Sequence, residues 1–164
     1  MFCKVFRLCK VEEGDTAAIL SESQSRTLNV SLAELALLRL GAKVFHVRLP
    51  TPPQASSIPI RSTGASNSVQ GIGPVVMALR SSSIVVDCTV EGMLHAPELK
   101  EILSDGARLM MVSNEHPDVL ERLVPDPKLE AKVKLGAKML SNASLMRVHS
   151  KAGTDLMIDV TDTR

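Results

Sequence analysis

The chain has 164 residues, with 19 Lys and Arg against 18 Asp and Glu and a formal net charge of +1. That length supports a domain with a proper core, and the balanced charge offers neither nucleic acid nor an acidic membrane surface a bulk attraction. Three Phe with no Tyr and no Trp leave no stacking platform for single-stranded nucleic acid, and no stretch approaches the ~20 apolar residues of a membrane span.

Phe2, Val5, Phe6 and Cys9 recur on one helical face, so residues 2–9 read as a short docking helix. The opening MFCKVFRLCKVEEGD has no continuous apolar core and no small-residue cleavage site, so it does not read as a signal peptide. A soluble, cytoplasmic protein is the expectation. Gly14-Asp15 ends the helix, and Thr16 to Leu20 read as a short apolar strand. Ser21-Glu22-Ser23-Gln24-Ser25 reads as a polar loop at its carboxyl end. Leu28 to Leu40 carry Leu and Ala at helical spacing, with Gly41 as a natural stop. Lys43 to Leu49 follow as a strand, which completes one βαβ unit.

Pro50 to Gly73 are rich in Pro, Ser, Thr and Gly and read as a long loop. Loops beyond ~15 residues in a compact domain are usually functional or mobile. Following a strand, this one should lie on the same sheet edge as the outlet of the next. Pro74 to Arg80 read as a short helix with Pro in its first turn. Ser83-Ile84-Val85-Val86-Asp87-Cys88-Thr89 then reads as a buried strand running out into a polar loop. A helix over 97–103, a strand over 107–112 and a helix over 118–123 come next. The longest helix spans about 128–142, with Leu129, Val133, Ala137 and Leu140 as its apolar stripe. Leu145 to His149 and Leu156 to Val160 read as two strands around the turn Lys151-Ala152-Gly153-Thr154-Asp155. This alternation predicts an α/β fold: a Rossmann-like, mostly parallel sheet with helices on both faces. Residues 1–164 are expected to form a single α/β domain.

The familiar cofactor motifs are missing. Gly71-Ile72-Gly73 does not extend to a dinucleotide fingerprint, and neither a P-loop nor a GxSxG elbow is present. Cys3, Cys9 and Cys88 form no zinc pattern, and an odd count argues against a disulfide framework, so they read as free thiols. No set of His and carboxylates has metal-site spacing, so no metal ligand is assigned in this chain. The four His are the remaining chemistry. His46 in mid-strand and His149 at a strand end read as structural, and His116 before Pro117 reads as a helix cap. His95, in Gly92-Met93-Leu94-His95-Ala96-Pro97, lies just beyond a strand. Ligands of open parallel sheets bind there, and a histidine can accept a proton near neutral pH. His95 is therefore the candidate catalytic residue, with a helix-entry role as its plain alternative.

Several runs carry a resemblance. They are Gly41-Ala42-Lys43-Val44-Phe45-His46-Val47-Arg48-Leu49-Pro50, Ile84-Val85-Val86-Asp87, Leu94-His95-Ala96-Pro97-Glu98 and Glu101-Ile102-Leu103. Gly106-Ala107-Arg108-Leu109, Pro117-Asp118-Val119-Leu120-Glu121-Arg122-Leu123-Val124-Pro125 and Val148-His149-Ser150-Lys151-Ala152-Gly153-Thr154-Asp155 continue it in order. Together they resemble the amino-terminal half of the 2,5-dihydroxypyridine 5,6-dioxygenase family, iron enzymes of nicotinate and nicotine breakdown.

The resemblance implies an Fe(II)-dependent, extradiol-type ring-cleaving dioxygenase acting with O2 on a dihydroxypyridine. It implies iron ligands in a carboxyl-terminal half that this chain does not include, so no cofactor is expected on this chain itself. It also implies that the domain helps form a homo-oligomer and one wall of the active site. His95 matches the proposed base and Leu94 a substrate-contacting position; Met93 is expected to pack on the ring beside it. The Asp87–His95 loop is longer than the family pattern around Val90-Glu91-Gly92, and residues 50–73 match it poorly. Lys151-Ala152-Gly153-Thr154-Asp155-Leu156 is similar to a segment shared with aminopeptidase T-like metallopeptidases. An amino-terminal domain of such a peptidase, or a non-catalytic assembly domain, are the alternatives.

Overall fold

A computed structural model describes residues 1–53 and 64–161. The chain divides into two compact units, Met1–Val124 and Pro125–Arg164. The expectation of a single domain thus meets two units, each described here by itself.

In the first unit four strands form a parallel sheet: β1 (Thr16–Glu22), β2 (Lys43–Leu49), β3 (Ile84–Cys88) and β4 (Arg108–Met111), in the order β2-β1-β3-β4. Among the described residues five helices accompany it: α1 (Phe2–Leu8), α2 (Thr27–Arg39), α3 (Gly73–Arg80), α4 (Leu99–Leu103) and α5 (Pro117–Arg122). The predicted α/β architecture is the one observed.

Alternate residues of a strand point to opposite faces, and the two central strands use both. Ala17, Ile19, Ile84 and Val86 pack with Phe2 and Phe6 of α1 and with Ala33, Ala36 and Leu37 of α2. Ala18, Leu20 and Val85 face the other way, onto Val76 and Leu79 of α3 and Ile102 of α4. Strands covered on both faces must be apolar throughout, which is why Ile84-Val85-Val86 shows no alternation.

Two boundaries move. β1 runs on through Ser21 and Glu22, which the sequence suggested were loop; both are buried, Glu22 to 2% exposure. α4 begins at Leu99 instead of Pro97. The other elements agree within the usual fraying of ends.

The sheet's amino-terminal edge is closed by Arg108. Its guanidinium donates to Asp15 Oδ2 (2.7 Å), Ser83 O (3.1 Å), Cys9 O (2.8 Å) and Lys10 O. One side chain thereby ties the starts of β1, β3 and β4 to the end of α1. At the other edge the strand order reverses between β1 and β3. Such a reversal leaves a crevice beyond the carboxyl ends of those strands.

The second unit holds α6 (Leu129–Ser141) and an antiparallel hairpin of β5 (Leu145–His149) and β6 (Asp155–Asp159). Arg147 grips Asp155 through two bonds of 2.8 Å across the hairpin. Among the described residues no helix is long and apolar enough to cross a membrane.

Candidate functional site at the carboxyl edge of the sheet

Asp87 is the penultimate residue of β3 and is fully buried. Its backbone oxygen accepts from Val112 N (2.8 Å) and Ser113 N (2.9 Å), at the outlet of β4. Its carboxylate is occupied on both oxygens. Oδ1 accepts from Thr89 N (3.0 Å) and Thr89 Oγ1 (2.7 Å), and Oδ2 accepts from Met93 N (2.6 Å). Thr89 Oγ1 in turn accepts from Gly92 N at 3.0 Å. The 89–93 turn is thus wound around one carboxylate. Burial pushes the Asp87 carboxyl above the usual carboxylate range; the bonds from Thr89 and Met93 pull it down, and the charge of Glu22 adds to the upward push.

Glu22 ends β1 on the same face as Ala18 and Leu20. Its Oε1 accepts from Ser66 Oγ at 2.9 Å, and Ser66 Oγ, its one proton so used, accepts from Ser68 Oγ at 3.0 Å. Glu22 Oε2 is buried and has no partner among the described residues. Ser25 Oγ donates to Cys88 O (2.6 Å) and accepts from Glu22 N (2.7 Å), which bridges β1 and β3 across the crevice. Cys88 offers no nucleophile here. Burial, then the charge of Asp87, pushes its thiol up to about 12.

The segment Gly64–Ser66 lies against the turn, on the edge predicted for the long loop. Gly64 N donates to Glu91 O (2.7 Å), Ser66 N to Gly92 O (2.8 Å) and His95 N to Gly64 O. A Cβ on Gly64, whose φ is +72°, would stand 3.2 Å from His95 Cδ2 and 3.3 Å from Leu94 Cβ. Only glycine lets the two segments approach so closely. Residues 54–63 of the predicted loop lie outside the described residues.

The three residues singled out from sequence separate at this point. His95 and Leu94 are both exposed, Leu94 to 54%. Met93 is fully buried in the core with Val69, Val76 and Leu79. It has no free surface for a ring to pack on, because Asp87 draws its N–H inward and the side chain follows. His116 Nδ1 caps α5 by accepting from Asp118 N (3.3 Å), and His46 stands 3.5 Å from Glu34. His149 ends β5 in the second unit.

Two hollows flank these elements. One of about 290 Å³ is lined by Ser21, Glu22, Ser25, Thr27, Val30, His46 and Arg48, at the carboxyl ends of β1 and β2. A larger one, about 360 Å³, lies between α1, α2 and α5. The smaller hollow lies at the carboxyl edge of the sheet, and His95 lines neither. Among the described residues no group of three or more His, Cys, Asp or Glu could hold a metal ion.

The model of the 2,5-dihydroxypyridine 5,6-dioxygenase family (NicX) matches residues 1–164. The chain belongs to that family. A curated relative, the 2,5-dihydroxypyridine 5,6-dioxygenase of Pseudomonas putida KT2440, is 32% identical over 157 residues, which is 94% of this chain and 44% of the relative. A solved structure of 2,5-dihydroxypyridine dioxygenase from Pseudomonas putida KT2440 superposes with a TM-score of 0.80 at 30% identity. That superposition covers 96% of this chain and 45% of the solved one. The chain therefore spans less than half the length of these members of the family.

Sequence reasoning missed Glu22 and Gly64. A signal for Glu22 existed: it continues the every-second-residue line of Ala18 and Leu20. Gly64 had none, since its role depends on a contact with residues far along the chain.

Proposed function

We propose that this chain supplies the substrate-facing wall of an Fe(II)-dependent, extradiol-type ring-cleaving dioxygenase that opens 2,5-dihydroxypyridine, or a similar dihydroxylated ring, with O2. The observation that carries the reading is the pair Leu94 and His95, exposed side by side on a turn that Asp87 fixes at the reversal point of the sheet. The names of the relatives support the substrate class.

In this reading His95 is the general base. It takes the proton of a ring hydroxyl, which raises the electron density of the ring before oxygen attacks. Positioned acid–base groups of this kind contribute ~10²–10⁴-fold to rate. Leu94 offers the ring an apolar face, and Met93 serves by anchoring the turn in the core. Following the resemblance, Fe(II) is assigned to a carboxyl-terminal half of the enzyme, and no step is routed through it. A homo-oligomer, as in the resemblance, is part of the same proposal.

The test follows loss of 2,5-dihydroxypyridine absorbance with Fe(II) and O2. It compares the 164-residue chain with a polypeptide extended to the length of the relatives. Turnover by the extended form alone is the expected result. Turnover by neither, with iron bound to the extended form, overturns the reading.

A further inference from the structure

The bonds at the carboxyl edge form a closed circuit. It leaves β3 at Asp87, passes through the 89–93 turn to Gly64–Ser66, and returns to β1 at Glu22. His95 hangs from the middle of this circuit by its own N–H to Gly64 O. We propose that Asp87 is the positioning residue for His95, acting through the turn that its carboxylate holds, and that Thr89 is its relay. The proposal rests on the reading of His95 as a base.

The argument is one of cost and direction. A buried carboxylate without a cation is expensive. Asp87 is fully buried, and its direct partners among the described residues are neutral N–H and O–H groups. A core packed for stability alone would place an apolar side chain there, as it does at Val85 on the same face. What the carboxylate does provide is an acceptor for N–H groups four residues apart, Thr89 and Met93. That pair of bonds turns Met93 into the core and throws Leu94 and His95 outward. A displacement of ~1 Å at a reacting group can cost ~10²-fold in rate, so the turn's geometry is worth more to turnover than to folding.

Asp87→Asn keeps the shape but presents an N–H₂ to one of the two donors, so one arm of the turn must let go. Thr89→Val removes the relay, and Thr89→Ser keeps it. Two readouts are taken. In the full-length enzyme, Asp87→Asn and Thr89→Val should lower kcat about 10- to 100-fold at unchanged iron content, while Thr89→Ser restores it to within about twofold. In the 164-residue chain, hydrogen exchange at the Met93 and His95 amides should quicken at least about tenfold in Asp87→Asn, with Ile19 and Val86 unchanged.

Uniform quickening across the sheet would make Asp87 a merely structural residue and overturn the proposal, as would unchanged exchange at Met93 and His95. The two readings fail separately. Wild-type turnover in His95→Ala removes the base, whereas the exchange pattern still decides whether Asp87 holds the turn.

Discussion

The two ends of the sheet each hold an aspartate, half-buried at Asp15 and fully buried at Asp87, and treat it in opposite ways. At the amino-terminal edge burial pushes Asp15 up, but the hydrogen bond and charge of Arg108, with the Glu12 N–H and the Ser83 hydroxyl, hold it below the usual carboxylate range. At the carboxyl-terminal edge burial leaves Asp87 above that range, with no guanidinium among the described residues to answer it. The first arrangement is a clamp: one arginine ties three strand starts and a helix end, and the charge is compensated. The second holds a turn in shape at a cost in stability. Uncompensated buried charges of this kind cluster where geometry matters more than stability. Here that place is also where the strand order reverses.

Variants at the two edges should therefore separate activity from stability. The largest effect is expected for His95→Ala in the full-length enzyme, a fall in kcat of about 10²–10⁴. Its unfolding midpoint should stay at the wild-type value, because the side chain is exposed. Arg108→Ala should do the reverse. Losing bonds to three carbonyls and a carboxylate is expected to cost about 2 kcal/mol in denaturant unfolding, after discounting for partial exposure. Turnover per folded molecule should be unchanged. An Arg108→Ala protein that folds normally but fails to turn over would break the comparison.

Acid sharpens it further. The lowered Asp15 contributes stability that is present above its unfolded pKa of ~3.9 and is lost as pH falls through the lower folded value. The raised Asp87 has the opposite sign. Its folded form binds a proton before its unfolded form, so the cost of burying its charge is relieved as pH falls from the raised folded value toward ~3.9. The stability difference between wild type and Asp15→Asn should shrink in acid. The difference between wild type and Asp87→Asn should move in favour of wild type as pH is lowered toward ~4. Parallel slopes for the two variants in urea titrations would show that the two edges are not the opposites described here.

Most of the sheet was legible in the sequence because it is built from local signals. Ile84–Val86 is an apolar run and Lys43–Leu49 carries Phe45, Val47 and Leu49 at alternate positions, each between turn residues, and Gly41 stops α2 where a glycine should, at φ +81°. The exposed loop position of His95 was legible because an apolar run that gives way to polar and glycine residues marks a strand outlet. Glu22 was not, since Ser21 to Ser25 are all polar and polarity reads as loop. Ser21 and Glu22 enter the strand because β2 pairs with them and because Ser66, from far along the chain, and the neighbouring Ser25 satisfy Glu22. Met93 misled for the mirror reason. An apolar residue beside a histidine in a glycine-bearing loop reads as a ring contact, and only the bond from its N–H to Asp87 shows that it turns inward.

We propose that the carboxyl edge is kept for chemistry and that His95 performs it. The most direct measurement is the rate of 2,5-dihydroxypyridine ring opening by full-length wild-type and His95→Ala enzymes, loaded to the same iron content and checked for the same unfolding midpoint. The account predicts a loss of at least about 10²-fold with equal stability. Equal rates at equal iron would contradict it.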